Sequence, residues 1–264
     1  MLNLFFKTLR DKRFFILGWS LGLLFLGFVM VSFFPSFSGG QIDELLGLMP
    51  PALQGLVGNL QDWQNLPGYI GSQVFDIRLP IFISILSILL AISLTVGEED
   101  KGQLRTLVSL PISRRRVVLG KWLAIVALCF VASLATAVGV EIGLLVINES
   151  LAQSVLLRLG FFTWLLVTAL ATLIFAVGLA SGKRSLTTGV AIIFAIGSFL
   201  LSTFAPAVDW LQDYEFLSFF HYFPAVDIAN GIVEWQNAAF YGGVVVVSLI
   251  VALIFFPKRD IKAS

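Results

Sequence analysis

The chain has 264 residues, of which 58 % are hydrophobic and only 12 % charged, about half the charged share of an ordinary soluble domain. A lone cysteine, Cys129, excludes an intrachain disulfide and any cysteine-based metal cluster. The net charge of +1 hides how unevenly the charges are distributed along the chain.

Six apolar runs follow one another: 14–34, 79–96, 117–147, 160–180, 186–208 and 238–256. Each reaches the ~18 residues that a helix needs to cross a hydrocarbon core of ~30 Å. None carries the polar stripe of a soluble core helix. The sequence therefore predicts an all-α integral membrane protein with six transmembrane helices. No connection exceeds the 44 residues of the first loop, so residues 1–264 read as a single transmembrane domain. The first run is too long for the apolar core of a cleavable signal, and none is expected.

Residues 1–13 precede the first run. Leu2, Phe5, Phe6 and Leu9 recur at helical spacing, with Lys7 and Asp11 four apart on another side. This predicts an N-terminal amphipathic helix lying in the membrane interface; the alternative is a short basic leader that only fixes topology. The first loop contains the apolar stretches 45–49 and 53–60, expected as short helices on the outer leaflet. In the fifth loop, Phe216, Phe219, Phe220, Tyr222 and Phe223 precede Pro224, and Ile228, Ile232 and Trp235 follow at helical spacing. Two short external helices broken at Pro224 are expected before the last span.

Of the 17 Lys and Arg, 15 fall in the N-terminus, the second loop with Lys121 just beyond it, the fourth loop and the tail, whereas 10 of the 16 acids fall in the first, third and fifth loops. Basic residues are retained on the cytoplasmic side during insertion, which places both termini in the cytoplasm. Within the third span stands one acid, Glu141. It is the candidate for lining a transport path, against snorkelling to the outer interface or bonding a neighbouring helix. Gly18/Gly22 and Gly139/Gly143 have the small-xxx-small spacing of close helix contacts.

The most informative local sequence runs from Gly97 to Arg116. Glu98, Glu99 and Asp100 open it, Gly102 follows, and Leu104, Leu107 and Val108 share one helical face. Pro111 ends the helix. Ser113 stands where a hydroxyl cap for the third span belongs, followed by Arg114, Arg115 and Arg116. Such an element can dock into a groove of a soluble partner, with Glu98 and Glu99 meeting basic groups at its rim or capping the helix. A solvated basic loop that only orients the protein accounts for the residues equally well.

This segment, with Leu119-Gly120-Lys121 after it, resembles the loop between spans two and three of ABC-type exporter permeases of the type-2 class. The resemblance extends over the whole chain. It implies that the loop is the coupling helix contacting a separate ATPase subunit, which binds ATP and Mg, and that the permease works with a second copy or a related permease. It implies a bacterial or archaeal cytoplasmic membrane and is silent about the substrate.

The chain itself is not expected to be an enzyme or to bind a cofactor or metal. Gly178–Arg184 has one residue too few between its glycines for a P-loop, and Arg184 replaces the Ser/Thr. His221 is the sole histidine, too few for an intramembrane protease. An ion-coupled secondary transporter would need ionisable groups near the midplane, and only Glu141 lies clearly inside a span, Lys121 standing at the edge of the third. That reading and a non-transport membrane scaffold are the alternatives. No nucleic acid partner is expected.

Overall fold

The computed structural model describes residues 2–37, 63–109, 111–205 and 208–260; the apolar stretches of the first loop lie outside them. The long elements are α1 (Leu2–Ser32), a helix that begins as α2 (Leu66–Tyr69), continues as a π-helix (Ile70–Arg78) and ends as α3 (Leu79–Leu94), then α6 (Arg114–Val146), α7 (Gln153–Ser181), α8 (Arg184–Phe204) and α11 (Trp235–Phe255). Between α3 and α6 lie α4 (Val96–Asp100) and α5 (Gln103–Ser109); between α8 and α11 lie α9 (Asp209–Gln212) and α10 (Ala225–Ala229). Among the described residues six helices are long and apolar enough to cross a membrane. The protein is an all-α integral membrane bundle.

Two helices begin earlier than hydropathy predicts. The second transmembrane helix starts at Leu66, where the Asn65 side chain accepts a hydrogen bond from the Gly68 amide at 2.7 Å and Pro67 occupies the first turn. Pro80 has no N–H and cannot continue the ordinary ladder of hydrogen bonds four residues back. The preceding turns are wider, and the Leu79 amide bonds the Val74 carbonyl five residues back. The fourth helix starts at Gln153, bringing Arg158 onto α7, where it donates to the Gly231 carbonyl at 3.4 Å.

Three local expectations need correction. Residues 2–13 are not a separate interfacial helix. No proline or glycine interrupts them, and they form the first turns of the unbroken 31-residue α1. The helix after Pro224 stops at Ala229, because Gly231 takes φ +89° and reverses the chain; Ile232 and Trp235 are both 61 % exposed. The aromatic run before Pro224 is only partly external: Phe219, Phe220 and Phe223 are buried, and Phe223 stacks on Phe162 of α7 at 6.5 Å.

The bundle is built around α7, which packs on α3, α6, α8 and α11 and buries most of its residues. The most extensive pair is α1 with α6. Their backbones touch because Gly27, Gly139 and Gly143 line the seam. A Cβ on Gly27 would come 2.9 Å from the Thr136 carbonyl oxygen, one on Gly143 would come 2.7 Å from Val31 Cβ, and one on Gly139 would run into the Leu24 carbonyl. Gly18 and Gly22 lie elsewhere: a Cβ on either would meet nothing within 4 Å. They border an apolar groove of about 650 Å³ between α1 and Phe82 of α3.

Candidate coupling site

The connection between α3 and α6 is folded by its own backbone. Thr95 leaves the helical region at φ −120°, ψ −102°, and its carbonyl accepts the Glu98 and Glu99 amides, each at 3.1 Å. The short α4 ends where the Gly102 amide bonds the Glu99 carbonyl at 2.9 Å. Gly102 has φ +69°, a conformation that side chains disfavour, and it turns the chain into α5. The acids therefore belong to α4 rather than to the amphipathic helix that follows. Ser113 precedes α6 as expected, but its hydroxyl makes no capping bond. Its backbone carbonyl accepts the Arg116 amide instead, at 2.9 Å.

The three consecutive acids each reach a different part of the bundle. Glu98 pairs with Lys121 of α6 at 2.6 Å, and the same ammonium donates to the Leu94 carbonyl at 2.8 Å. Lys121 is 1 % exposed and Glu98 19 %, so this pair is shielded from water and both partners are needed. Glu99 pairs with Arg259, just beyond α11, whose guanidinium also donates to the Gly178 carbonyl of α7 at 3.4 Å. Arg114 donates to the Arg259 carbonyl at 2.5 Å and to the Phe256 and Pro257 carbonyls at 3.4 Å each, closing the end of α11. Asp100 meets Arg184 at the start of α8 at 3.1 Å. Both of those side chains are more than half exposed, so this pair contributes little. The N-terminal turns of α1 stand beside the loop, with Lys7, Thr8 and Asp11 facing Glu98, Gln103 and Lys121 across a polar crevice of about 410 Å³. The two chain ends, the α3–α6 connection and the α7–α8 turn thus meet at one end of the bundle.

Hydrophobic spacing leaves open which body the apolar face of α5 meets. Here it meets the protein's own bundle: Leu104 is 0 % exposed, and Leu107 and Val108 are half-buried against the core. Glu98, Glu99, Leu104 and Arg114 all point inward. Among the described residues the outer surface is instead made of Lys101, Gln103, Arg105, Thr106, Ser109, Pro111, Arg115 and Arg116, polar or basic apart from the proline. Sequence reasoning missed the anchoring roles of Lys121, Arg184 and Arg259. Lys121, a basic residue two turns inside α6 and within the apolar run 117–147, was the available signal, because such a charge needs a partner.

At the far end of α6, Glu141 is half-buried in a groove between α6 and α7. Among the described residues neither a hydrogen bond nor an ion pair reaches its carboxylate.

A comparison with curated proteins gave no match. The family model for ABC-2 family transporter proteins matches residues 3–261, the same whole-chain extent as the bundle and its loop. The chain belongs to the ABC-2 family and is a membrane permease subunit of an ABC transporter.

Proposed function

We propose that this permease is the transmembrane half of an ATP-driven exporter, that the α3–α6 connection transmits the motion of a separate ATPase subunit, and that its basic outer face makes the contact. The observation that carries this reading is the double anchoring of α4 by shielded ion pairs. A push on α5 is passed through Glu98 to α6 and through Glu99 to the end of α11. A loop that only fixed topology would need no shielded ion pair to two different helices. The partner's groove is expected to be acidic, because Arg105, Arg115 and Arg116 face outward while Leu104 and Leu107 do not. ATP and Mg belong to that partner. A second copy or a related permease completes the path, and Glu141 lines it at the outer end.

The end bearing the termini and the coupling connection is cytoplasmic in this reading, by the sorting of basic residues. With Cys129→Ala as background, a single cysteine replacing exposed Asn230 should react with an impermeant maleimide on intact cells. Cysteines replacing exposed Gln103 or Ser185 should react only after lysis. Labelling at Gln103 in intact cells would reverse the orientation.

Reversing the basic face tests the coupling itself. The triple variant Arg105→Glu, Arg115→Glu, Arg116→Glu leaves every inward contact in place. It should reach the membrane with an unchanged melting temperature and associate with its ATPase on the order of a hundredfold more weakly. ATPase recovery equal to wild type in a pull-down would refute the assignment of this face.

A further inference from the structure

The groove holding Glu141 has a volume of about 390 Å³ and runs along the α6–α7 seam. Its walls are Phe130, Leu134 and Glu141 on α6 and Leu157, Phe161 and Trp164 on the antiparallel α7. Phe130 and Glu141 are 11 residues apart on one helix, which separates them by ~16 Å. Glu141 therefore lies at the mouth, near the end of the bundle opposite the coupling site. The ring pairs Phe130–Trp164 and Phe161–Trp164, each at 6.0 Å, lie at the inner end. Phe130, Leu134 and Leu157 are 52 %, 51 % and 66 % exposed, so the trough opens sideways rather than into the core.

Of the other polar residues that line the trough, exposed Gln153 is neutral, and Ser133 and Trp164 are hydrogen-bonded. The Ser133 hydroxyl donates to the Cys129 carbonyl at 3.0 Å, and the Trp164 indole donates to the Val126 carbonyl at 3.1 Å. Glu141 alone supplies a charge, and no cation of the described residues answers it. A carboxylate at the mouth of an apolar, aromatic-floored trough complements one shape of ligand: a cation at the surface with a hydrocarbon body directed inward. An anionic headgroup would be repelled at the same point.

We propose that the α6–α7 groove binds a single-tailed cationic amphiphile, its ammonium on Glu141 and its tail along the seam to the Phe130–Trp164 pair. This deepens the exporter reading by naming a substrate class, and it rests on that reading for the placement of Glu141 near the outer surface.

The test uses the purified permease with its ATPase in phosphatidylcholine nanodiscs. The probe is trimethylammonium-diphenylhexatriene, detected by energy transfer from tryptophan. Transfer should contain a saturable component above linear lipid partitioning, displaced by cetyltrimethylammonium and not by dodecyl sulfate. Neutral diphenylhexatriene should show the linear part alone. Glu141→Gln should weaken the saturable component by about tenfold. Leu134→Trp, which keeps the carboxylate but fills the trough, should weaken it too; both variants are compared at matched melting temperature. Linear uptake alone, or unchanged affinity in both variants, would overturn the proposal. Displacement by equimolar phosphatidylethanolamine would overturn it as well, by making the groove a resident-lipid site. The outcomes separate the two readings: ATPase retained without saturable binding removes only the groove proposal, whereas saturable binding without a bound ATPase removes only the coupling proposal.

Discussion

Replacing Lys121 with methionine should destabilise the permease by about 3–5 kcal/mol, the range found when one partner of a buried ion pair is removed. The methionine fills most of the space left by the lysine stem. The loss comes from Glu98, left shielded and without its cation, and from the Leu94 carbonyl, which loses its donor. The double variant Glu98→Gln, Lys121→Met removes the stranded charge and should recover more than half of that loss. Thermal unfolding in detergent, followed by size-exclusion chromatography, measures both. If the single variant melts with the wild type, the pair does not hold the coupling connection to α6.

Leu104→Asp should be nearly as damaging, and for a reason that reverses the expectation from sequence. If Leu104 inserted into a partner, an aspartate there would give a well-folded permease that fails to bind its ATPase. Leu104 is instead fully buried in the permease, and an unpaired carboxylate among apolar side chains costs several kcal/mol. The expected result is low yield and a lowered melting temperature for the permease by itself, with no partner present. Thr106→Asp, on the exposed side of the same helix, should leave the melting temperature unchanged. Equal stability of the two variants would place Leu104 on the outside.

The six helices were legible because hydrophobic length is a property of the chain alone, and the bilayer sets the same length for every span. Their ends were less legible. Asp76 and Arg78 made residues 66–78 look like loop, although a backbone that satisfies its own hydrogen bonds remains helical past isolated charges. The coupling connection stood out through its residue types, but the direction of its faces did not. Leu104, Leu107 and Val108 show that one side of α5 is covered, and the pattern would be the same whether a bundle or a partner covers it. The pairing of Glu98, Glu99 and Asp100 was invisible for a related reason: Lys121, Arg184 and Arg259 are 23, 84 and 160 residues away in sequence. Glycine spacing was informative for one helix only. Gly139 and Gly143 do meet α1, but at Leu24 and at Phe28 and Val31, with Gly27 the one α1 glycine in the seam, while the better-spaced Gly18 and Gly22 face open space.

Site-specific photocross-linking tests most directly which face of the connection contacts the ATPase. Benzoylphenylalanine placed at Arg105, Ser109 or Arg115 should form a covalent adduct with the ATPase subunit in membranes, and the adduct should change in yield between ATP-bound and nucleotide-free states. The same probe at Val108, half-buried against the bundle, should give intramolecular products only. Adducts with the ATPase from Val108, and none from Arg105, Ser109 or Arg115, would contradict the account.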